Sequence, residues 1–179
     1  MRTPGPLIER PAADEHTAYY GRYVDRVPDG ADVLALLEER LEATPALFRG
    51  LGEEDSLRRY APGKWSVREV LGHMADCERI FTYRALRAAR GDATPLPGFE
   101  EDDYVREAHF DERTTASLVE EWEAVRRATI TLYRGFAPDR FGHRTVASGS
   151  PVSVRALVYI TAGHELHHLN VLRERYGVG

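Results

Sequence analysis

The chain has 179 residues, of which 42% are hydrophobic and 30% charged. That is an ordinary globular composition, enough for one domain burying roughly 70% of its unfolded surface. A net charge of −5 carries no basic excess, which argues against a nucleic-acid binder. No apolar run reaches membrane-span length and no signal-peptide core stands at the N-terminus. The single Cys77 excludes an intramolecular disulfide and fits a reducing cytoplasm.

One domain is expected over residues 1–179, made of an arm (1–28) and a helical body (29–179). The arm carries Pro4, Pro6, Pro11 and Pro28 and reads as extended. It also holds His16, Tyr19, Tyr20 and Tyr23, aromatics that suit packing against the body rather than a free tail. A first long helix is expected from about Ala31 to Gly50, opened by Asp29 or Asp32. Its stripe is Leu34, Leu37, Leu41, Leu47 and Leu51, and Pro45 should kink it without ending it.

Pro62-Gly63 marks a turn, and Ser66-Val67-Arg68-Glu69 is a capping box. A second helix therefore starts there and runs to about Arg90, with Gly91 as its stop. Its inner stripe reads Val70, His73, Met74, Cys77, Ile80 and Phe81. Residues 91–114 form a 24-residue link with Pro95, Pro97 and the acidic run Glu100-Glu101-Asp102-Asp103. The run reads first as a solvated face, and a link of this length can also line the mouth of a site. A third helix is expected from Thr114 or Thr115 to about Arg134, with the stripe Leu118, Trp122, Val125, Thr129, Leu132 and Phe136 and a stop at Gly135. After a loop at 148–151, Ser153 caps a fourth helix running to about Tyr176. Four amphipathic helices with no convincing strand pattern give an all-α four-helix bundle, with a link long enough for a crossover.

The fourth helix carries His164-Glu165-Leu166-His167-His168. His164 and His168, four apart, stack on one face and can grip one transition-metal ion. Leu157, Ile160, Thr161 and Val171 continue that face, so it points into a core. His167 falls on the opposite side. The run also fits H-E-x-x-H, the zinc-protease signature. Such proteases take a third ligand from further along, and here the eleven residues after His168 hold no His and only Glu174, which faces away. The third ligand must come from upstream. A lone imidazole in an apolar stripe is more often a satisfied core histidine, but beside a pair that lacks a partner His73 is the best candidate. His16, His109 and His143 fall in arm or loop, which hold geometry less well than a helix. Cys77, one turn beyond His73, reads as a small buried hydrophobe before it reads as a soft fourth ligand.

The chain resembles the DinB-like superfamily, on its YfiT or bacillithiol-transferase side. The likeness runs through Arg10 to His16, Tyr60 to Glu69, Leu71-Gly72-His73 with Glu78-Arg79, Tyr83-Arg84-Ala85-Leu86, and Gly163 to His168. It implies a four-helix bundle, often a homodimer, with a divalent metal held by three histidines that map to His73, His164 and His168. Some members use low-molecular-weight thiols such as bacillithiol or mycothiol, and many are labelled metal-dependent hydrolases. Many relatives carry Gln or His three residues after the last ligand, where this chain has Val171.

Three histidines leave coordination positions open, as catalytic metal sites do. A zinc or nickel ion there can ionise a thiol, giving a thiol S-transferase, or a water, giving a hydrolase. Glu165 is the base candidate for hydrolysis, about 100° round an ideal helix from His164 and about 60° from His168. Arg84, Arg87 and Tyr104 are candidates to hold a thiol's carboxylates. A metal-binding structural or sensor protein without turnover is the third reading. No nucleic acid or membrane partner is expected, only a small-molecule substrate.

Overall fold

The computed structural model describes residues 7–179, so Pro4 and Pro6 of the expected arm lie outside the described residues. The remainder of the arm is extended only in part, since residues 7–12 and 25–32 hold no helix. A 3₁₀ turn (Ala13–Glu15) leads to a short helix, α1 (Ala18–Val24), capped by Thr17. Tyr23 and Val24 are buried, because the tyrosines supply the apolar area that the prolines do not.

Helix α2 (Val33–Arg49) starts at Asp32, whose carboxylate accepts from the N–H groups of Leu34 (3.0 Å) and Ala35 (3.2 Å). Pro45 sits inside it, as its unbroken stripe required. One short turn of helix, α3 (Glu53–Ser56), comes next. Helix α4 (Val67–Ala89) opens on the capping box: Ser66 Oγ accepts from Glu69 N at 3.0 Å, and the Glu69 carboxylate accepts from Ser66 N at 2.7 Å. Such a cap contributes about 1 kcal/mol. Gly91, at φ +78°, turns the chain away.

The link at 91–114 is partly helical. It holds α5 (Glu101–Ala108) and a 3₁₀ turn (Phe110–Glu112). Helix α6 (Thr115–Arg134) is capped by Thr114 and ends at Gly135, which stays right-handed. The next loop forms a hairpin that no alternation announced. Strands β1 (Arg144–Ala147) and β2 (Ser150–Ser153) pair antiparallel, Thr145 opposite Val152. Ser148 and Gly149, both at positive φ, make the two-residue turn that suits strand twist. Helix α7 (Val154–Val171) starts at its Ser153 cap and passes into one π-helical stretch, Leu172–Tyr176.

The bundle is α2, α4, α6 and α7. Helix α4 packs on both α6 and α7, while α2 closes the other side against α6 and, more lightly, α7. Chain neighbours α2 and α4 thus face each other across the bundle. Its centre is charged. Arg126 of α6, fully buried, makes a two-pronged pair with Glu78 of α4 (2.8 and 2.7 Å) and a third contact with Glu165 of α7 (2.8 Å). It also reaches Leu37 O of α2 at 3.3 Å, and Thr44 of α2 donates to Glu165 at 2.5 Å. One side-chain cluster thereby ties all four helices. Among the described residues no helix is long and apolar enough to cross a membrane.

Two glycines fix the added segments to the bundle. A Cβ on Gly163 of α7 would overlap the Tyr23 carbonyl of α1, and one on Gly72 of α4 would overlap the Phe110 ring from the link. The Gly163 neighbour is backbone and cannot rotate aside. Gly163→Ala is therefore expected to cost roughly 3 kcal/mol, the upper part of the overpacking range, read as a fall in the urea midpoint. A change within about half a kilocalorie, the size of an ordinary surface substitution, would refute this docking.

Candidate metal centre

Each of those glycines precedes a histidine, and the three histidines expected from the sequence meet. His164 Nε2 lies 3.1 Å from His73 Nε2 and 3.1 Å from His168 Nε2. All three residues are buried. Helices α4 and α7 pack directly, which brings His73 opposite the His164–His168 face. Aromatic edges hold the rings: Tyr23 and Phe81 stand edge-on to His164 (5.2 and 5.5 Å between centroids), and Trp65 covers His73 at 4.6 Å.

The donor set fits a metal ion. One ring nitrogen carries either a proton or a lone pair, so His164 Nε2 cannot donate to one neighbour and accept from the other. At metal–nitrogen distances of about 2.0–2.1 Å, adjacent ligand nitrogens sit roughly 3 Å apart, the spacing that His164 Nε2 shows to each of the other two. Burial first, then the neighbouring imidazoles, holds His164 and His168 well below the usual histidine range. Burial, then His167, takes His73 down to about 4. The rings are therefore neutral at pH 7, with lone pairs free.

This burial has a pH consequence for the metal-free protein. His73 and His167 both titrate near 4 when folded and near 6.5 when exposed. Between those values the unfolded chain binds more protons, so stability falls as pH drops from 6.5 towards 4. Urea midpoints at pH 7, 5.5 and 4.5, taken in chelator, should decrease in that order. A flat profile would contradict neutral burial.

Cys77 sits closer to this group than a mere core filler needs to. Its Sγ is 3.7 Å from His73 Nδ1 and 3.6 Å from Nε2, and His73, Cys77 and His164 offer donor atoms all within 4.8 Å of one another. Burial, with Glu101 adding to it, pushes the free thiol up.

Glu165 is placed differently from the expectation of a base. Its carboxylate turns to α2 and α6, held by Thr44 and Arg126. The run His164 to His168 divides by face, and the Glu165 face is the buried ion cluster. A different carboxylate does approach the histidines: Glu101 Oε2 lies 4.0 Å from His73 Nε2. Burial, then Asp102, pushes its acid up. No period singles Glu101 out of the acidic run, because two turns of helix inside a long link leave no stripe.

A cavity of about 420 Å³ opens onto His164 and Cys77. Beside Phe81 of α4, much of its wall comes from outside the four expected helices: Tyr19 and Tyr20 of α1, Phe99, Glu100 and Glu101 of the link, and Ser148 of the hairpin turn. Arg84 stands behind them, 2% exposed. It donates to Tyr20 Oη (3.2 Å), Ser148 Oγ (3.1 Å) and Pro97 O (2.9 Å), with no carboxylate partner among the described residues. Arg87 and Tyr104 do not reach the cavity. Arg87 pairs with Asp92 and donates to Tyr83 Oη, and the exposed Tyr104 rests on Phe99 at 5.1 Å between centroids. A second cavity, about 290 Å³, exposes His167 and His168 beside Trp65, Lys64 and Asp102.

The family model of the DinB superfamily matches residues 36–172. The chain belongs to the DinB superfamily. The match runs from the first turns of α2 to the end of α7, so it covers nearly all of the bundle and all three histidines. A protein of Oceanobacillus iheyensis named "putative metal-dependent hydrolase" is 24% identical over 123 residues, 66% of this chain and 69% of that protein. Among solved structures, YfiT from Bacillus subtilis, described as "a probable metal-dependent hydrolase with an unusual four-helix bundle topology", superposes with a TM-score of 0.70 at 14% identity. That likeness covers 96% of this chain and 95% of YfiT. The mycothiol-dependent maleylpyruvate isomerase gives a TM-score of 0.63 at 13% identity, over 76% of this chain and 58% of that one. At these identities the structural likenesses speak for the fold.

Proposed function

We propose that this DinB-superfamily chain is a metal-dependent enzyme that holds one divalent ion on His73, His164 and His168 and transfers a group to a low-molecular-weight thiol of the bacillithiol or mycothiol kind. Zinc and nickel both suit an imidazole set, and either, when bound, supplies the Lewis acidity that ionises a thiol or water at its open position. The observation that carries the transferase reading is the cavity over His164 with the buried, anion-free Arg84 behind its wall. An uncompensated buried guanidinium is costly, and it makes the wall at Tyr20 and Ser148 attractive to a substrate carboxylate. Tyr23, Phe81 and Trp65 keep water from the imidazoles and hold their orientation. Cys77, kept protonated by burial, is a poor nucleophile, so the reacting thiol comes from outside. A sulfur–carbon bond forms as the leaving group departs with its electron pair, and the thiol proton goes to solvent.

Hydrolysis is the competing reading, and the naming of the Oceanobacillus relative and of YfiT favours it. Glu165 does not serve it as base while Arg126 and Thr44 hold the carboxylate. The test is consumption of a chloro-dinitroarene with bacillithiol, mycothiol or glutathione as co-substrate. Saturable turnover, lost in chelator and in His164→Ala, is expected. Turnover of esters or amides with no thiol dependence would replace transfer by hydrolysis, and binding of metal with neither activity would make this a sensor or structural site. Homodimer formation belongs to the same proposal, and light scattering at tens of micromolar should return twice the chain mass of 20.2 kDa.

A further inference from the structure

The first turn of α5 stands between the two cavities that reach the histidines. Glu101 lines the one exposing His164 and Cys77, and Asp102 lines the one exposing His168. From there the Glu101 carboxylate comes to 4.0 Å from His73 Nε2, the same atom that lies 3.1 Å from His164 Nε2. Asp103, two residues on, turns outward to Arg106. Glu101 is 47% exposed and has no hydrogen-bond partner among the described residues, so its side chain is free to change rotamer.

We propose that Glu101 is a fourth, exchangeable protein ligand to the ion held by His73, His164 and His168, covering the open position from the side of the link until a substrate displaces it. This rests on the three-histidine reading. Carboxylate oxygens bind the same divalent ions as imidazoles at about 2.0–2.2 Å. A shift of about 1 Å brings Glu101 Oε2 to the spacing of neighbouring ligand atoms, well within one side-chain rotation. Charge favours it too, since three neutral imidazoles leave a buried double positive charge uncompensated and a carboxylate halves it. Cys77 is the rival donor. Its Sγ is nearly equidistant from both nitrogens of His73, which puts it off the direction of the Nε2 lone pair.

Cobalt(II) is a suitable probe because its visible bands report coordination. Wild-type protein, Glu101→Gln, Cys77→Ser and the control Asp103→Asn are titrated against a chromophoric chelator, and the spectrum of each complex is recorded. Glu101→Gln is expected to bind cobalt roughly tenfold or more weakly, with shifted visible bands, while Cys77→Ser and Asp103→Asn match wild type. Unchanged affinity and bands in Glu101→Gln would overturn the proposal. So would weaker binding with unchanged bands, which would mean that the carboxylate attracts the cation without ligating it. A sulfur-to-cobalt charge-transfer band lost in Cys77→Ser would give the position to Cys77 instead. Failure of wild-type protein to bind cobalt at all, or undiminished binding by His164→Ala, would remove the three-histidine reading itself.

Discussion

Arg126→Ala is expected to lower the unfolding free energy by roughly 3–5 kcal/mol, because it strands two buried carboxylates without their cation. Glu78 and Glu165 are both buried, and Arg126 makes three of the polar contacts that hold them there. The loss spreads to all four helices, since Leu37 and Thr44 of α2 belong to the same cluster. The control is the triple variant Arg126→Met, Glu78→Gln, Glu165→Gln, which removes the charges together and should recover much of the loss. Urea unfolding of the three proteins at pH 7 measures it. If Arg126→Ala loses less than about 1 kcal/mol, the range of exposed pairs, the cluster is not what ties the bundle. Glu165→Gln alone should lose stability yet keep bound metal, which separates its role from that of the histidines on either side.

The cluster also shows how much of the molecule its residues announce. The four long helices are legible because each carries a cap and an unbroken stripe: Asp32 before α2, the Ser66–Glu69 box before α4, Thr114 before α6 and Ser153 before α7. The spacing of His164 and His168 marks their face, and the lack of a downstream ligand points to His73. Arg126 carries a signal too, although the expected stripe of α6 leaves it out. It lies one turn after Trp122 and next to Val125 on an apolar stripe, where a charge needs a buried partner, and Glu78 sits among buried residues of α4. Helix α1, α5 and the hairpin are not legible in this way. They are short, and their order comes from docking: Tyr23 against Gly163, Phe110 against Gly72, and Leu96 beside Ala147. Those are also segments that wall the cavity, so periodicity marks the candidate ligands and leaves much of the cavity wall hidden.

Loss of metal binding in the histidine variants is the second large effect. His73→Ala, His164→Ala and His168→Ala should each weaken divalent-metal binding by more than the roughly 10–100-fold lost when only a hydrogen-bond partner of a ligand is removed. A ligand that binds only the folded state adds about 4 kcal/mol of stability at roughly a thousand times its dissociation constant, so wild-type protein should melt higher with metal than in chelator. The three variants should show little such gap. His167→Ala should keep its metal: the His167 ring lies beside His168 (5.0 Å between centroids) rather than on the opposite side of the helix, but its Nδ1 has no hydrogen-bond partner among the described residues and the residue is partly exposed.

Elemental analysis of purified wild-type protein and the four single histidine variants, dialysed together against trace zinc and nickel, tests the three-histidine centre most directly. The expected result is close to one ion per chain in wild type and His167→Ala, and close to none in His73→Ala, His164→Ala and His168→Ala. Full metal content in His73→Ala, with the protein folded, would contradict it.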